Sequence, residues 1–410
     1  MNIALVLFIL TYLLIGLQRI PRLHLGRPAG ALLGAVAMVG CGVLSYEEAR
    51  AAIDLDTVFF LLGMMIVLGY LELSGFFEVV ERRVLGFAKS ARMLLVLVVI
   101  SSGLLAALFM NDTICLMLTP VVVRVTRRLE LPPGPYLIAL ATASNIGSAC
   151  TVMGNPQNAL IAIRSGINLI PFVAALWPVS VVGLLLATLL LCWLYRDRIT
   201  AAPLVVPPPR QLQEVQTWMV TASMLSGAGM VAGLALGVRP AAAAMAAAAA
   251  VILAGATRPR HALQRVDWSL LLFFGGLFVV MRGVEESGLT HALVVTAAGP
   301  LAAGGGMVLA RLGAAVTLLS QAVSNVPAVL LFVPTLERLG TQVAHPSWLA
   351  LAAFSTLAGN LTIIGSVANI IVFETARRDG IEVGFGEYLR VGLPLTLATL
   401  VLAWGILALS

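Results

Sequence analysis

The sequence has too little charge to cover a water-facing surface. Only 11% of its 410 residues are charged and 60% are hydrophobic, whereas soluble domains carry about 25% charged residues. Apolar runs of roughly 20 residues recur along the chain, which is the length of a helix that crosses the hydrocarbon core. They are far longer than the ~10-residue strands of a membrane barrel and show no polar–apolar alternation. The sequence therefore predicts an all-α polytopic membrane protein.

Several functional signatures are also missing. The four cysteines have no paired spacing that would indicate a disulfide framework or a zinc site. We find no phosphate-binding loop, no nucleophile elbow and no metal-ligand spacing. The net charge is +6, but the arginines form short clusters between apolar runs, which is typical of membrane topology and not of a nucleic-acid surface. We therefore expect a lipid-embedded protein that is not an enzyme and that binds no cofactor, metal or nucleic acid.

The basic clusters predict an orientation and a division of the chain. Arg19, Arg22 and Arg27 follow the first apolar span, so this loop should lie inside, with the N-terminus outside, in the inner (plasma) membrane. Residues 1–27 form this first span and its basic loop. Prolines in 199–215 predict a cytoplasmic linker, which separates the halves 28–198 and 216–410.

The two halves repeat one pattern of polar and glycine residues. Equal spacings relate Asp54, Gly63, Ser74 and Gly75 to Asp267, Gly276, Ser287 and Gly288. Asn111, Pro120, Thr151, Gly154 and Asn158 recur as Asn325, Pro334, Thr362, Gly365 and Asn369. We pair Asn145 with Asn360, which makes the second copy shorter just before Thr362. Since the orientation puts Asp54 outside and Asp267 inside, the repeat is expected to be inverted, as in many secondary transporters.

Polar interruptions within apolar runs predict two hairpins and two broken helices. Two apolar limbs with basic outer ends meet near residue 111, which indicates a re-entrant hairpin whose second copy has its tip near 325. Broken helices are expected over 136–165 and 347–376. Exposed backbone at membrane depth is tolerated where protein or a water-filled cavity surrounds it. The alternative interpretation is ordinary helix packing through small residues and Asn hydrogen bonds.

Asp112 is the acidic residue with long apolar runs on both sides. Burying a charged side chain at that depth costs roughly 3 kcal/mol or more, so a function is the default hypothesis. The carboxylate could bind a cation, carry a coupling proton, or cap the second limb of the hairpin. The second tip carries no acid in its place.

These motifs resemble the ion transporter superfamily, which includes arsenite permeases, citrate and dicarboxylate transporters and sodium/proton antiporters. The first tip, 109–113 followed by 118–120, is similar to a hairpin tip of that group. The segments 143–148 and 154–158 resemble the unwound helix of its arsenite-permease and silicon-efflux branch. The segments 324–325 and 365–369 match the second copies.

The resemblance implies a homodimer with a scaffold domain and a transport domain that moves by an elevator-like slide. It implies a substrate between the two tips and cations or protons held by each tip and its unwound helix. The expected substrate-binding residues are Asn111, Thr113, Ser144, Asn145, Ser324, Asn325, Asn360 and Thr362. The expected coupling residues are Asp112, Asn111, Thr151, Gly154, Asn155, Asn158, Gly365, Ser366 and Asn369.

The tips depart from the pattern of sodium–carboxylate members, which resembles Ser-Asn-Thr at both tips. This chain has Asn-Asp-Thr at 111–113 and Ser-Asn-Val at 324–326, so it loses one hydroxyl ligand and gains a titratable acid. We therefore predict proton-coupled export of a small oxyanion or metalloid hydroxide such as arsenite or silicic acid. A sodium-coupled carboxylate or sulfate symporter, a sodium/proton antiporter, and a receptor without flux remain alternatives.

Overall fold

The computed structural model describes residues 3–16, 26–200, 202–204, 215–255, 258–288, 305–338 and 341–409, with only the backbone at 341–344. The helices of this part are α1 (Ile3–Gly16), α2 (Arg27–Gly40), α3 (Tyr46–Ala52), α4 (Leu55–Leu73), α5 (Phe76–Phe87), α6 (Ala91–Leu108), α7 (Asn111–Arg128), α8 (Pro133–Ser148), α9 (Pro156–Ser165), α10 (Leu169–Leu194), α11 (Thr217–Ala235), α12 (Pro240–Ala254), α13 (Pro259–Leu263), α14 (Trp268–Glu286), α15 (Gly306–Val323), α16 (Asn325–Glu337), α17 (Thr341–Ala358), α18 (Val367–Arg378) and α19 (Phe385–Leu409). Arg19, Arg22 and most of the linker at 199–215 lie outside the described residues.

Seven of the described helices are long and apolar enough to cross a membrane, namely α4, α6, α10, α11, α14, α15 and α19. Their outward surfaces are apolar as well. On α10, for example, Trp177, Leu185 and Leu189 are each more than half exposed, as expected for side chains that face lipid. The predicted all-α polytopic class is therefore confirmed.

The helices divide into two groups by their contacts. A scaffold group consists of α1, α2, α4, α11, α12 and α14, in which α2 packs along α14 and α12 packs along α4. A hairpin group consists of α6 to α10 and α15 to α19. Ion pairs link the groups. The Arg164 guanidinium of α9 lies 2.7 Å from the carboxylate of Asp54, the N-cap of α4, and the Arg338 guanidinium at the end of α16 lies 3.9 Å from the Glu285 carboxylate of α14.

Two glycines fix the helix contacts of the scaffold group. A Cβ on Gly63 of α4 would lie 2.5 Å from the carbonyl carbon of Ala244, and one on Gly276 of α14 would lie 2.8 Å from that of Ala31. Ala31 and Ala244 are each the fifth residue of their helix. The contact between α4 and α12 thus has the same geometry as the contact between α14 and α2.

Replacing Gly276 by Ala should separate α14 from α2, because the new methyl group meets backbone that cannot rotate away. We expect a loss of about 1–3 kcal/mol in stability, seen as a lower unfolding temperature in detergent. Gly275 is the matched control, since a Cβ there meets nothing within 4 Å. Alanine at that position should be neutral or slightly stabilising, by about 0.5–1 kcal/mol. Equal unfolding temperatures for the two variants would contradict the close contact.

Both predicted hairpin positions are breaks between packed helices. The first break covers Phe109 and Met110, and the second is Ser324. Phe109 is extended, with φ −136° and ψ 167°, whereas Ser324 has φ 75° and ψ 165°. That region favours glycine and costs other residues about 1–3 kcal/mol. The two tips therefore differ in backbone conformation as well as in side chains.

Both predicted broken helices contain an unwound segment. The first lies between α8 and α9, and the second lies between α17 and α18 and contains a 3-10 turn, Ile363–Gly365. The first begins at Pro133 and not at 136, since proline is favoured at the first position of a helix. The second begins at Thr341, six residues earlier than expected, and includes Pro346 inside the helix.

Candidate substrate site

Asn145 on α8 is the centre of a buried amide network. Its Oδ1 accepts hydrogen bonds from Asn111 Nδ2 at 3.0 Å and Ser366 Oγ at 3.1 Å. Its Nδ2 donates to the Oδ1 atoms of Asn360 and Asn369 at 2.9 and 3.0 Å. An asparagine side chain has two acceptor and two donor positions, so Asn145 is fully engaged. It joins the first hairpin tip to the second broken helix and has no free group for a substrate in this conformation.

Thr356 on α17, in the second half, makes the corresponding contacts to the first broken helix. Its hydroxyl accepts from Asn155 Nδ2 at 3.1 Å and Gln157 Nε2 at 3.3 Å, and it donates to Asn158 Oδ1 at 3.4 Å. Its side chain is fully buried. Sequence reasoning missed Thr356, because a single threonine in an apolar helix gives no signal.

An asparagine side chain forms hydrogen bonds to each unwound segment. In both broken helices its side-chain amide donates to the backbone carbonyls ten and seven residues earlier. These bonds run from Asn158 to Ser148 and Thr151 at 3.1 and 3.0 Å, and from Asn369 to Gly359 and Thr362 at 2.7 and 3.1 Å. These backbone carbonyls therefore have hydrogen-bond donors although the segment is not helical.

These bonds correct one pairing from the sequence. Asn158 and Asn369 are 211 residues apart, and at the same separation the counterpart of Asn145 is Thr356 and not Asn360. The expected shortening of the second copy was therefore wrong, since both asparagines bond to carbonyls that lie ten and seven residues earlier. Residue type favours the pairing of Asn145 with Asn360, whereas position in the repeat favours Thr356.

The first tip is attached to the first unwound segment. The Asn111 backbone N–H donates to the Gly154 carbonyl at 2.8 Å, and the Thr151 hydroxyl donates to the Ala107 carbonyl at 2.5 Å. Asn111 Oδ1 also accepts from the Asp112 backbone N–H at 2.9 Å. The tip and the unwound segment therefore form one unit.

Asp112 is half-buried, and its carboxylate reaches across to the second half. It lies near the backbone N–H of Ala368, in the first turn of α18, which stabilises its charged form. The predicted capping role thus applies to α18 and not to the hairpin's own second limb. The partial positive charge of a helix N-terminus stabilises a carboxylate in this place.

Two further charges act on Asp112. Arg27, the first residue of α2, interacts with it favourably, and Asp267, the N-cap of α14, interacts unfavourably. The cluster of basic residues predicts only that Arg27 lies in a cytoplasmic loop. The fold brings it close to the tip because α2 packs along α14.

A glutamine takes part in the second tip. Gln321 Nε2 donates to the Ala358 carbonyl at 2.8 Å, and its Oε1 accepts from the Thr362 hydroxyl at 2.8 Å. Its amide also lies against Gly365, where a Cβ would be 2.7 Å from Oε1. The Asn325 side chain is buried and lies beside Gly359. Gln321 was not predicted, although a polar residue in an apolar limb is a usable signal.

The remaining expected residues lie around this network. Ser144 Oγ is 3.0 Å from the Cys115 thiol, and both side chains are buried. Thr113 and Ser324 are half-buried. Within the described part of the chain, no three His, Cys, Asp or Glu side chains are placed to hold a metal ion.

Two of the cavities between the scaffold group and the hairpin group form a matching pair. One of about 440 Å³ runs between α4 and α7, and one of about 360 Å³ runs between α14 and α16. They occupy matching places, since Glu72, Leu116 and Pro120 line the first and Glu285, Leu330 and Pro334 line the second. Leu116 lies one helical turn after Asp112 and therefore on the same face. The larger cavity thus follows the α7 face that carries Asp112.

Comparison with known proteins identifies the family of this chain. Residues 5–354 match the family described as citrate transporter. The chain belongs to the citrate transporter family. It is 32% identical to the silicon efflux transporter LSI3 of Oryza sativa, over 92% of this chain and 91% of that protein. It is 25% identical to the putative transporter arsB of Dictyostelium discoideum, over 94% and 88% of the two chains.

A solved structure with a similar fold is the YdaH transporter of Alcanivorax borkumensis. It aligns with a TM-score of 0.54 at 17% identity and covers 99% of this chain and 96% of its own, which is a similarity of fold alone. The family match and the relatives confirm the predicted membership of the ion transporter superfamily. The protein is a multi-pass membrane transporter and not an enzyme.

Proposed function

We propose that this member of the citrate transporter family is a proton-coupled antiporter that exports a small oxyanion or metalloid hydroxide, arsenite-like or silicic-acid-like. The observation that carries this proposal is the position of Asp112. Its half-buried carboxylate lies at a hairpin tip, near the N-terminus of α18, and is on the α7 face that lines the larger cavity.

A proton is the coupling ion that this surrounding favours. The Ala368 N–H and the charge of Arg27 stabilise the ionised carboxylate, while partial burial and Asp267 destabilise it. These opposed effects allow both protonation states. Protonation would weaken the attraction of the carboxylate to the N-terminus of α18 and release the tip for the next step of the cycle.

Sodium coupling is less well supported by the unwound segments. Their carbonyl oxygens are the groups that suit a hard cation. The amide hydrogens of Asn158 and Asn369 already bond to several of them. A sodium ion at these carbonyls would have to displace that amide. We therefore assign Thr151, Gly154, Asn155, Asn158, Gly365, Ser366 and Asn369 to holding the site in shape.

A neutral hydroxylated substrate fits the charges better than a dicarboxylate. The helix N-terminus that would bind a substrate carboxylate is occupied by Asp112, and Asp267 adds a second negative charge, against the one positive charge of Arg27. Hydroxyl and amide groups from both tips remain to bond a small hydroxide. The proposed substrate-binding residues are Asn111, Thr113, Ser144, Ser324, Asn325, Asn360 and Thr362, with Asn145 as the group that positions them. LSI3 carries the description silicon efflux transporter, which agrees with this choice.

We further propose that the two halves form an inverted repeat and that the hairpin group slides against a homodimeric scaffold, with the N-terminus outside the inner membrane. The reciprocal contacts of Gly63 and Gly276 support the repeat. The two matching cavities support passage from either side. The Asp54–Arg164 ion pair crosses the sliding interface and must break when the groups move.

The test is accumulation of arsenite and of silicic acid in everted membrane vesicles, with and without an imposed inside-acid gradient. An antiporter with one proton per substrate can concentrate its substrate up to about 100-fold with a gradient of about two pH units, because each unit is a factor of ten. We expect gradient-dependent accumulation of at least one of the two. Accumulation that is the same with and without the pH gradient would contradict proton coupling.

The second candidate is sodium-coupled carboxylate uptake, which the description of the family as citrate transporter favours. It predicts citrate uptake into right-side-out vesicles that requires an inward sodium gradient and ignores a pH gradient. Sodium-driven citrate uptake without arsenite or silicic acid flux would replace the first proposal.

A further inference from the structure

The short helix α5 and its turn into α6 present a basic surface that transport does not explain. Arg82, Arg83, Phe87, Lys89 and Arg92 are all exposed, and we call these five residues the α5 basic face. Phe87 is 57% exposed although it is a large apolar side chain. The opposite side of α5 is buried against α6 and α7. The helix therefore has one face that packs and one face that is open.

The cations of the α5 basic face have no carboxylate partner within the described part of the chain. The nearest acid in sequence, Glu81, is buried and pairs with Arg124 of α7, with 2.7 Å between Oε2 and Nη2. Glu78 faces the cavity between α4 and α7. Four cations without ion pairs repel one another, so they favour an anionic partner from outside the chain.

The level of α5 relative to the bilayer indicates which partner this is. The helix connects α4 to α6, two helices long and apolar enough to span the membrane. The chain leaves the hydrocarbon after Leu73 and enters it again from Ala91, so α5 lies at the depth of lipid headgroups. Exposed cations next to an exposed aromatic side chain are typical of helices that lie in this interfacial layer.

The turn that carries Lys89 and Arg92 is held by the end of the first half. The Arg92 N–H donates to the Thr200 carbonyl at 3.2 Å, and the Leu204 N–H donates to the Lys89 carbonyl at 2.9 Å. These backbone bonds hold the backbone of the turn against the end of the first half, so the residues that carry its two cations are not part of a free loop. A fixed group of cations loses less freedom on binding than a mobile one.

We propose that the α5 basic face binds the headgroups of anionic phospholipids, with Phe87 inserted at the boundary of the acyl region. An anionic phospholipid satisfies both features at once, because its phosphate meets the cations and its chains cover Phe87. An acidic protein or a nucleic acid would leave Phe87 in water. This site is independent of the substrate and of the coupling ion.

The test uses the purified full-length protein in detergent and compares bound phosphatidylglycerol with phosphatidylcholine by native mass spectrometry. We expect the wild type to prefer phosphatidylglycerol by at least about tenfold, because each cation adds to the attraction. The preference should fall as salt is raised. Replacing Arg82, Arg83, Lys89 and Arg92 together by Gln should reduce it to about twofold. Phe87→Ala should weaken binding of both lipids.

The matched control changes four other exposed arginines to Gln: Arg258, Arg260, Arg311 and Arg390. It has the same net charge as the α5 variant and should keep most of the preference. An equal loss in both variants would assign the effect to net charge and overturn the site. Absence of a salt-dependent preference in the wild type would overturn it as well, whatever the folding of the variants. Oligonucleotide binding without lipid preference would assign the face to nucleic acid instead.

Discussion

Replacing Asp112 by Asn is expected to abolish proton-driven accumulation while leaving the site assembled. The amide keeps the shape of the carboxylate, and its oxygen can still lie near the Ala368 N–H, but it cannot load or release a proton. In everted vesicles with a gradient of about two pH units, the accumulation ratio should fall from as much as ~100 toward one. Substrate exchange without a gradient should persist.

Asp56→Asn is the control for this variant. Asp56 is an exposed acid in the first turn of α4, so the same chemical change there should leave coupling intact. If Asp112→Asn still accumulates substrate in proportion to the pH gradient, Asp112 is a helix cap and not the coupling group. Loss of both exchange and accumulation would instead indicate a binding role for the carboxylate.

Replacing Asn145 by Ala is expected to disable both exchange and accumulation. The change removes four hydrogen bonds, so that Nδ2 of Asn111 and the Oδ1 atoms of Asn360 and Asn369 lose their bonds to Asn145 in a buried place. A buried polar group that loses its partner costs about 1–3 kcal/mol, so the total loss of stability should be roughly 3 kcal/mol or more. We expect transport to fall at least about tenfold and the unfolding temperature in detergent to drop by several degrees.

Thr142→Val is the matched control on the same helix. Thr142 is also fully buried, but its hydroxyl donates to the carbonyl of Ile138 within α8 at 2.8 Å. Valine has nearly the same shape, and the carbonyl at 142 stays available to Asn360. The cost should be below about 1.5 kcal/mol. An unfolding temperature of Asn145→Ala no lower than that of Thr142→Val would show that the amide network does not hold the site together.

The two principal variants distinguish a loss of proton coupling from a loss of the amide network that assembles the site. Asp112→Asn should preserve exchange because it leaves the contacts of Asn145 intact. Asn145→Ala should lose exchange because it removes the amide hydrogen bonds that join the first tip to the second broken helix. A chain that lost exchange in both variants would have a tip in which the carboxylate binds the substrate directly.

Sequence patterns found most of the polar residues of the site but not their partners. Asn111, Asn155, Asn158 and Asn369 stand out because they belong to polar segments that interrupt apolar runs. Thr356 and Arg27 do not stand out, since a threonine in a helix and an arginine beside a membrane span are common. Their importance arises from contacts with residues about 200 and 85 positions away in the chain.

The sequence by itself determined the class of the protein. Low charge and long apolar runs require helices in a bilayer, because the hydrocarbon offers backbone groups no other hydrogen-bond partner. The polar interruptions located the tips near 111 and 325 and the unwound segments, since such residues need a protein or water surrounding at that depth. These are local properties, which a linear pattern records.

Only the tertiary structure decided which polar groups meet. The packing of α7 on α18 placed the Asp112 carboxylate at a helix N-terminus in the other half. The crossing of α8 and the second broken helix saturated Asn145, and it showed that Thr356 and not Asn360 is its counterpart. Hydrogen bonds depend on distance and direction between atoms, so a threonine can take the place of an asparagine once the backbones are in position. That geometry follows from how the two halves pack, which spacing along one chain does not record.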